Sequence, residues 1–254
     1  MRLTGLLQFA ALCVLVGSSN GAWAQRAGEN VLESAQDAFG TTVGNDSIGL
    51  YNARDVRGFD PVSAGNVRLE GMYYDRQQPN PGEVFIGSLV SGSSVRVGLS
   101  AQSYLFPAPT GISDVRLRIP GDKQVYSAVT GYGPHKKYSF ELNGELPIIT
   151  DKLSVNLGGG YIREDTPEAS MSDNWLAAVV GRWRPTEDIE IIPFWSRKSE
   201  TGRSPRPNIY TAGPYLPPPI PRHVFLSQAW AQNIVYDTNF GTLINASLSE
   251  NWRL

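Results

Sequence analysis

The second half of the chain alternates apolar and polar residues with a period of two. The pattern recurs in five segments: 138–146, 152–161, 175–183, 189–195 and 244–252. In the first segment one face carries Tyr138, Phe140, Leu142 and Leu146, and polar residues occupy most of the positions between them. Strands with one apolar and one polar face give this pattern, because successive side chains point to opposite sides. From Lys123 onward we predict about seven antiparallel strands.

The connections between these segments alternate in length. Three are short: 147–151, 184–188 and 237–241. The two between them are longer: 163–173 and 199–225. Short turns at one end and long loops at the other are typical of a transmembrane β-barrel. A soluble antiparallel sheet also alternates, but it does not require the connections on one side to be consistently short.

Tryptophans near the predicted strand ends support the membrane interpretation. They are Trp175, Trp183, Trp195, Trp230 and Trp252. Indole rings are enriched where a bilayer meets water, so we expect these side chains to form girdles against outer-membrane lipid.

The first half of the sequence follows a different pattern. A helix is predicted over 30–39, because Leu32, Ala35 and Phe39 have helical spacing. Short strands separated by glycines are predicted at 55–57, 66–74, 94–99 and 115–119. The predicted fold class is therefore a small α+β domain over 25–122, followed over 123–254 by the antiparallel strands of an incomplete transmembrane β-barrel.

The first 24 residues have the pattern of a secretory signal peptide. Arg2 precedes an apolar stretch that ends before Ala22-Trp23-Ala24, a small-residue cleavage site. The one cysteine, Cys13, lies inside this segment. We therefore expect an exported protein whose mature chain has no disulfide and no cysteine nucleophile.

The remaining chemistry of the sequence is sparse. The formal net charge of −2 gives no reason to expect a nucleic-acid partner. His135 and His223 are far apart and lack neighbouring ligands at metal spacing. The glycine run 158–160 is not followed by the lysine and hydroxyl of a phosphate loop. No catalytic residue, metal site or cofactor site is predicted, and we expect no enzyme.

Several segments resemble TonB-dependent outer-membrane receptors. Arg57-Gly58-Phe59 resembles an element of the family's plug domain, and 66–75 is similar to the strand that follows it. In that strand Glu70-Gly71 stands where the family usually has Asp-Gly. The stretch 111–119 is similar to the strand that closes the plug, and 142–153 resembles the first barrel hairpin.

This resemblance implies a plug over 25–122 and the first strands of a barrel that has ~22 strands in the family. It implies uptake of a scarce extracellular ligand, most often a ferric siderophore. The matched residues Arg57, Gly58, Phe59, Glu70 and Gly71 are interpreted as structural rather than ligand-binding. An ion pair between Arg57 and Glu70 is a hypothesis based on their opposite charges.

Three departures from the family pattern leave alternatives open. No clear TonB box precedes the plug, so engagement of the TonB energy-transducing protein is undecided. About seven strands are present, and the sequence stops at Arg253-Leu254 without a terminal aromatic residue. A truncated receptor, even a non-functional fragment, is therefore one alternative. A non-transporting outer-membrane or adhesion barrel is another, and a secreted β-rich enzyme is the third.

Overall fold

The described residues form two β-sheets in a computed structural model. The structure describes residues 32–37, 40–43, 61–62, 64–74, 88–104, 106–108, 110–165, 169–202, 213–215, 219, 230, 232–249 and 252–253. Side chains are described in these ranges except at 32–37, 40–43, 103, 248–249 and 252–253. The predicted signal peptide lies outside the described residues. Within the described part no helix is long and apolar enough to cross a membrane.

The first sheet has six strands. They are β1 Leu32–Asp37, β2 Gly40–Val43, β3 Val67–Leu69, β4 Met72–Tyr73, β5 Val90–Arg96 and β6 Ile112–Leu117. Their order across the sheet is β2-β1-β5-β6-β3-β4. β1 and β5 run parallel, as do β3 and β6, while the other neighbours are antiparallel. We call this unit the small sheet.

The helix predicted over 30–39 is wrong. Residues Leu32–Asp37 form β1, which pairs with β2 on one side and β5 on the other. Ordered pairing with β5, far away in sequence, outweighs the local helical spacing of three apolar residues. Among the described residues the only helix is a 3₁₀ segment, Gly98–Ser103, so the α+β description is corrected to almost entirely β.

The second sheet has seven strands and confirms the antiparallel pattern predicted from Lys123 onward. They are β7 Val125–Gly133, β8 Lys137–Ile149, β9 Leu153–Asp165, β10 Met171–Thr186, β11 Ile189–Gly202, β12 Asn233–Ser249 and β13 Trp252–Arg253. Each pairs with the next along the chain, so β7 and β13 lie at opposite ends. We call this sheet the wall. It forms no closed barrel among the described residues.

One predicted turn is wrong. Residues 237–241 lie inside β12 and pair with β11, with Asp237 opposite Lys198 and Gly241 opposite Phe194. Their turn-forming residue types are tolerated because β11 supplies a continuous partner, and Gly241 leaves space for the Phe194 ring. The short turns predicted at 147–151 and 184–188 are found, shortened to 150–152 and 187–188.

The wall presents two chemically different faces. One face exposes large apolar side chains, among them Leu142, Leu157, Trp175, Val179, Trp183, Tyr236, Phe240 and Ile244. The opposite face packs against the small sheet. The shared core contains Val62, Val67, Leu69, Leu89, Val90, Val115 and Leu117 on one side and Ala178, Val180, Ile192, Phe194 and Leu243 on the other. We call these faces outer and inner.

The inner face differs from the polar face that alternation alone suggests. In β10 to β12 several inward positions are apolar and buried, notably Val180, Ile192 and Phe194. They are buried because the small sheet covers them, so the wall is apolar on both sides where the two sheets meet.

Gly158 lies where β9 passes closest to the small sheet. A Cβ at this position would come within 2.3 Å of the Ser88 Cβ. We expect Gly158→Ala to lower the free energy of unfolding by ~1–3 kcal/mol, because one sheet must shift away from the other. Urea unfolding in detergent micelles measures the effect.

The neighbouring Gly159→Ala is the matched control. Its Cβ would lie 3.4 Å from the Leu176 carbonyl oxygen, an ordinary contact. We expect a neutral or slightly stabilising effect, because glycine in a strand interior is itself unfavourable. Equal losses in the two variants would contradict the close approach at Ser88.

Candidate functional site

Two of the five plug-like residues form a tight turn. Glu70 and Gly71 connect β3 to β4, and both have positive φ angles, 51° and 81°. Two-residue hairpin turns of this kind need left-handed backbone at both positions, which glycine adopts without strain. Arg57, Gly58 and Phe59 lie outside the described residues, so the hypothesis of an Arg57–Glu70 ion pair stays a prediction.

The Glu70 carboxylate has a defined role in the small sheet. Its Oε1 accepts a hydrogen bond from the Leu117 backbone N–H at 2.7 Å. The Glu70 N–H donates to the Val115 carbonyl at 2.9 Å. The turn is therefore tied to β6 through both backbone and side chain.

Asp114 on β6 joins this turn to the loop after the 3₁₀ helix. Its Oδ1 accepts from the Gly71 N–H at 2.8 Å, and its Oδ2 accepts from the Tyr104 hydroxyl at 2.8 Å. The Arg96 guanidinium lies over the Tyr104 ring, 5.5 Å from its centre. Sequence reasoning did not single out Asp114. The one available signal was that Asp114 is the single acidic residue of β6.

Arg68 is the most deeply buried charged residue described in the small sheet, with 2% of its surface exposed. Its guanidinium donates to the Val67 carbonyl at 3.0 Å and the Phe106 carbonyl at 2.7 Å. It also lies 4.8 Å from the centre of the Tyr73 ring. Two carbonyls and an aromatic face stabilise the cation and fix the 106–108 segment beside β3.

Polar contacts between the two sheets accompany the shared core. The Ser88 carbonyl accepts from the side-chain amides of Asn156 at 3.2 Å and Asn143 at 3.5 Å. The Tyr74 hydroxyl donates to Asn239 Oδ1 at 2.7 Å. Hydrogen bonds are directional, so they fix where the small sheet sits on the inner face.

The segment between β6 and β7 is held against the wall, at the end of the wall that carries the short turns 150–152 and 187–188. The Pro120 carbonyl accepts from Ser154 Oγ at 3.2 Å and from Arg182 Nη1 at 3.3 Å. Glu190 accepts from Arg182 Nε at 2.7 Å and Arg184 Nε at 3.0 Å.

A cleft of about 650 Å³ opens beside this network. It is lined by Asp151, Lys152, Arg184, Pro185, Thr186, Glu187, Asp188, Glu190, Asn245 and Ser247. Its lining includes charges of both signs. Within the described ranges no group of three or more His, Cys, Asp or Glu residues could hold a metal ion.

Only one of the two histidines lies among the described residues. His135 lies in the turn between β7 and β8, with a positive φ angle of 58°. His223 lies outside the described residues. The described geometry is that of a small sheet packed on the inner face of the wall.

High pH tests the Tyr104–Asp114 contact. Burial, and then the hydrogen bond to Asp114, raises the pKa of Tyr104 to about 12. Between an ordinary tyrosine pKa of about 10 and this value the folded state holds a proton that the unfolded state has lost. Stability is therefore fully present below pH ~10 and decreases as the pH rises toward ~12.

We expect Tyr104→Phe to reduce this loss between pH 9 and pH 11, measured as the shift of the urea midpoint. Tyr132→Phe is the control, because Tyr132 is 90% exposed at the end of β7. An unchanged pH dependence in Tyr104→Phe would argue against the raised pKa.

Comparison of the fold identifies similar structures, although sequence comparison alone does not. No protein-family profile and no curated protein matches the chain. The Pseudomonas aeruginosa receptor FpvA, bound to an iron–pyoverdine complex, matches with a TM-score of 0.61 and 9% identity. The match covers 74% of this chain and 26% of that receptor.

A second structure is the outer-membrane ferripyoverdine receptor of Pseudomonas aeruginosa bound to ferripyoverdine. It matches with a TM-score of 0.56 and 9% identity, over 74% of this chain and 26% of the receptor. The chain thus spans about a quarter of the length of these receptors. The predicted resemblance is confirmed at the level of the fold: the chain shares the fold of part of the TonB-dependent siderophore receptors.

Proposed function

We propose that this chain supplies the plug and first barrel strands of a TonB-dependent outer-membrane receptor that takes up a ferric siderophore. In this proposal residues 25–122 are the plug and residues 123–254 begin the barrel. The observation that carries it is the two-faced wall. Its outer face exposes large apolar side chains, and its inner face holds the small sheet.

The outer face fits lipid better than water. Phe240 is 74% exposed, Trp175 63% and Ile244 60%. Soluble proteins rarely leave so many large apolar side chains together on one surface. A bilayer accommodates them, and outer-membrane barrels carry such an apolar band on the outside.

Two of the tryptophans fit the predicted girdles. Trp175 and Trp183 lie on the outer face of β10, eight residues apart, which corresponds to about 26 Å along the strand. With the ~35–45° strand tilt of outer-membrane barrels, this length corresponds to about 20 Å along the membrane normal, slightly less than their ~25 Å apolar band. Trp195 lies opposite Val179, midway along β11, so its predicted place near a strand end is wrong.

The structural neighbours support the proposed ligand class. Both are receptors rather than enzymes, and both were solved with the iron complex of pyoverdine. A small sheet held inside a strand wall by a core and hydrogen bonds is a suitable device for closing a pore until a ligand is to pass. The energy-transducing TonB protein is the partner expected for this mechanism.

Lipid contact is tested by a pair of arginine substitutions on β8. Leu142 points outward and is 46% exposed, while its neighbour Glu141 points inward. Arginine on a lipid-facing position destabilises a barrel by up to ~2–4 kcal/mol, depending on depth. We expect Leu142→Arg to reduce the fraction that resists urea extraction from phospholipid vesicles.

Glu141→Arg is the control for this pair, because it introduces the same side chain on the inner face one residue away. We expect it to remain with the vesicles. Equal retention of both variants would mean that the outer face does not contact lipid, and the membrane proposal would fall.

Uptake is tested with the native gene product in the cell. Under iron limitation, we expect deletion of the gene to abolish uptake of radioactive iron supplied as its ferric siderophore, and the intact gene to restore it. Uptake of cobalamin is the control for general damage to the envelope. If deletion leaves the uptake of every ferric siderophore in a tested panel unchanged, the transport proposal is overturned.

The same cells distinguish the alternatives. A product found in the outer membrane with no effect on uptake would favour a non-transporting or adhesion barrel. An antibody against the small sheet detects the product in membrane fractions. Absence of the product from the outer-membrane fraction would favour a non-functional fragment.

A further inference from the structure

Residues 118–124 are the covalent exit from the small sheet, because they join β6 to β7. Pro120 in this linker is fully buried, so its carbonyl must find its hydrogen bonds within the protein. Two wall side chains provide them: Ser154 Oγ at 3.2 Å and Arg182 Nη1 at 3.3 Å. A further contact joins the Gly121 N–H to Glu145 Oε2 at 3.5 Å.

Arg182 makes its contact with the linker while bound at a second nitrogen. Its Nη1 reaches Pro120, and its Nε donates to Glu190 Oε1 at 2.7 Å. The two contacts use different nitrogens of one planar group. Because the guanidinium is rigid, fixing Nε also fixes the direction in which Nη1 points.

Glu190 is itself held from three directions. Its Oε1 accepts from Arg182 and from Arg184 Nε at 3.0 Å, and its Oε2 accepts from Asn245 Nδ2 at 3.3 Å. These donors come from β10 and β12, the two neighbours of β11 on which Glu190 lies. The carboxylate therefore ties three wall strands together at the point that faces the linker.

We infer that Glu190 is a positioning residue that orients Arg182 to hold the exit linker of the small sheet against the wall. We call Glu190, Arg182 and the Pro120 carbonyl the linker clasp. The clasp fixes the end of the small sheet from which the chain continues into β7. Any movement of the small sheet that opens a passage therefore pivots about this end. The clasp stands on geometry alone, and only its role in opening rests on the proposed function.

A spin label in the linker tests the clasp. Gly121→Cys is a suitable attachment site, because a Cβ there would meet nothing within 4 Å. The background carries Cys13→Ser, so that the label has one target. The full chain is measured in lipid vesicles. A separate variant, Ala128→Cys, carries the label at an exposed position of β7 and reports on the mobility of the wall itself.

We expect Glu190→Gln to raise the ratio of mobile to immobile linker label about tenfold, the effect of losing one charge-assisted hydrogen bond. Arg182→Lys should act similarly although it keeps the positive charge. The lysine ammonium lacks the planar set of N–H groups with which the guanidinium contacts Glu190 and Pro120 at the same time. The label at Ala128 should not change in either variant.

Glu200→Gln is the matched control. Glu200 lies on the same strand and pairs with Lys198 at 3.4 Å with similar exposure, far from the linker. In the Glu200→Gln variant the label at Gly121 should stay immobile. An immobile linker in Glu190→Gln, or equal loosening at Gly121 and Ala128, would overturn the clasp. Both outcomes are read without transport, so they are distinct from failure of the proposed function.

Discussion

The structure depends on burial of one apolar face of the small sheet against the inner face of the wall. Leu69 and Leu117 meet Val180, Ile192 and Phe194 in a single core. Each such side chain contributes about 1.5–3 kcal/mol when removed from water. Neither partner could leave its face exposed without cost, so the two sheets stabilise each other.

Hydrophobic contact holds the sheets together but does not choose their relative position, because it has no direction. Hydrogen bonds make that choice. Asn156 reaches the Ser88 carbonyl, Tyr74 reaches Asn239, and Arg182 reaches the exit linker. A displaced small sheet would leave these buried groups unpaired, which costs more than the bonds themselves contribute. The relative position of the two sheets is therefore specific.

The same two-faced wall connects the fold to the proposed transport. Strands whose outer positions suit lipid and whose inner positions grip a small domain can separate two aqueous compartments while keeping a removable obstruction between them. The Asp114 carboxylate joins the Glu70–Gly71 turn to Tyr104 and so holds the small sheet together internally. Rigidity inside the small sheet and a limited set of polar contacts at its border together favour motion of the domain as a unit.

The sequence by itself determined the wall, because a period of two is a local property that a strand with unlike faces imposes on its residues. It did not locate the Glu70–Gly71 turn, because the strand predicted over 66–74 is two strands, β3 and β4, joined at these two residues. It did not determine β1, whose residues have helical spacing, or the passage of β12 through 237–241. In both places a partner strand supplied the hydrogen bonds that decided the conformation. Asp114, Arg182 and Glu190 also emerged only from the tertiary structure, because each acts on a group far away in sequence and its residue type alone does not reveal that partner.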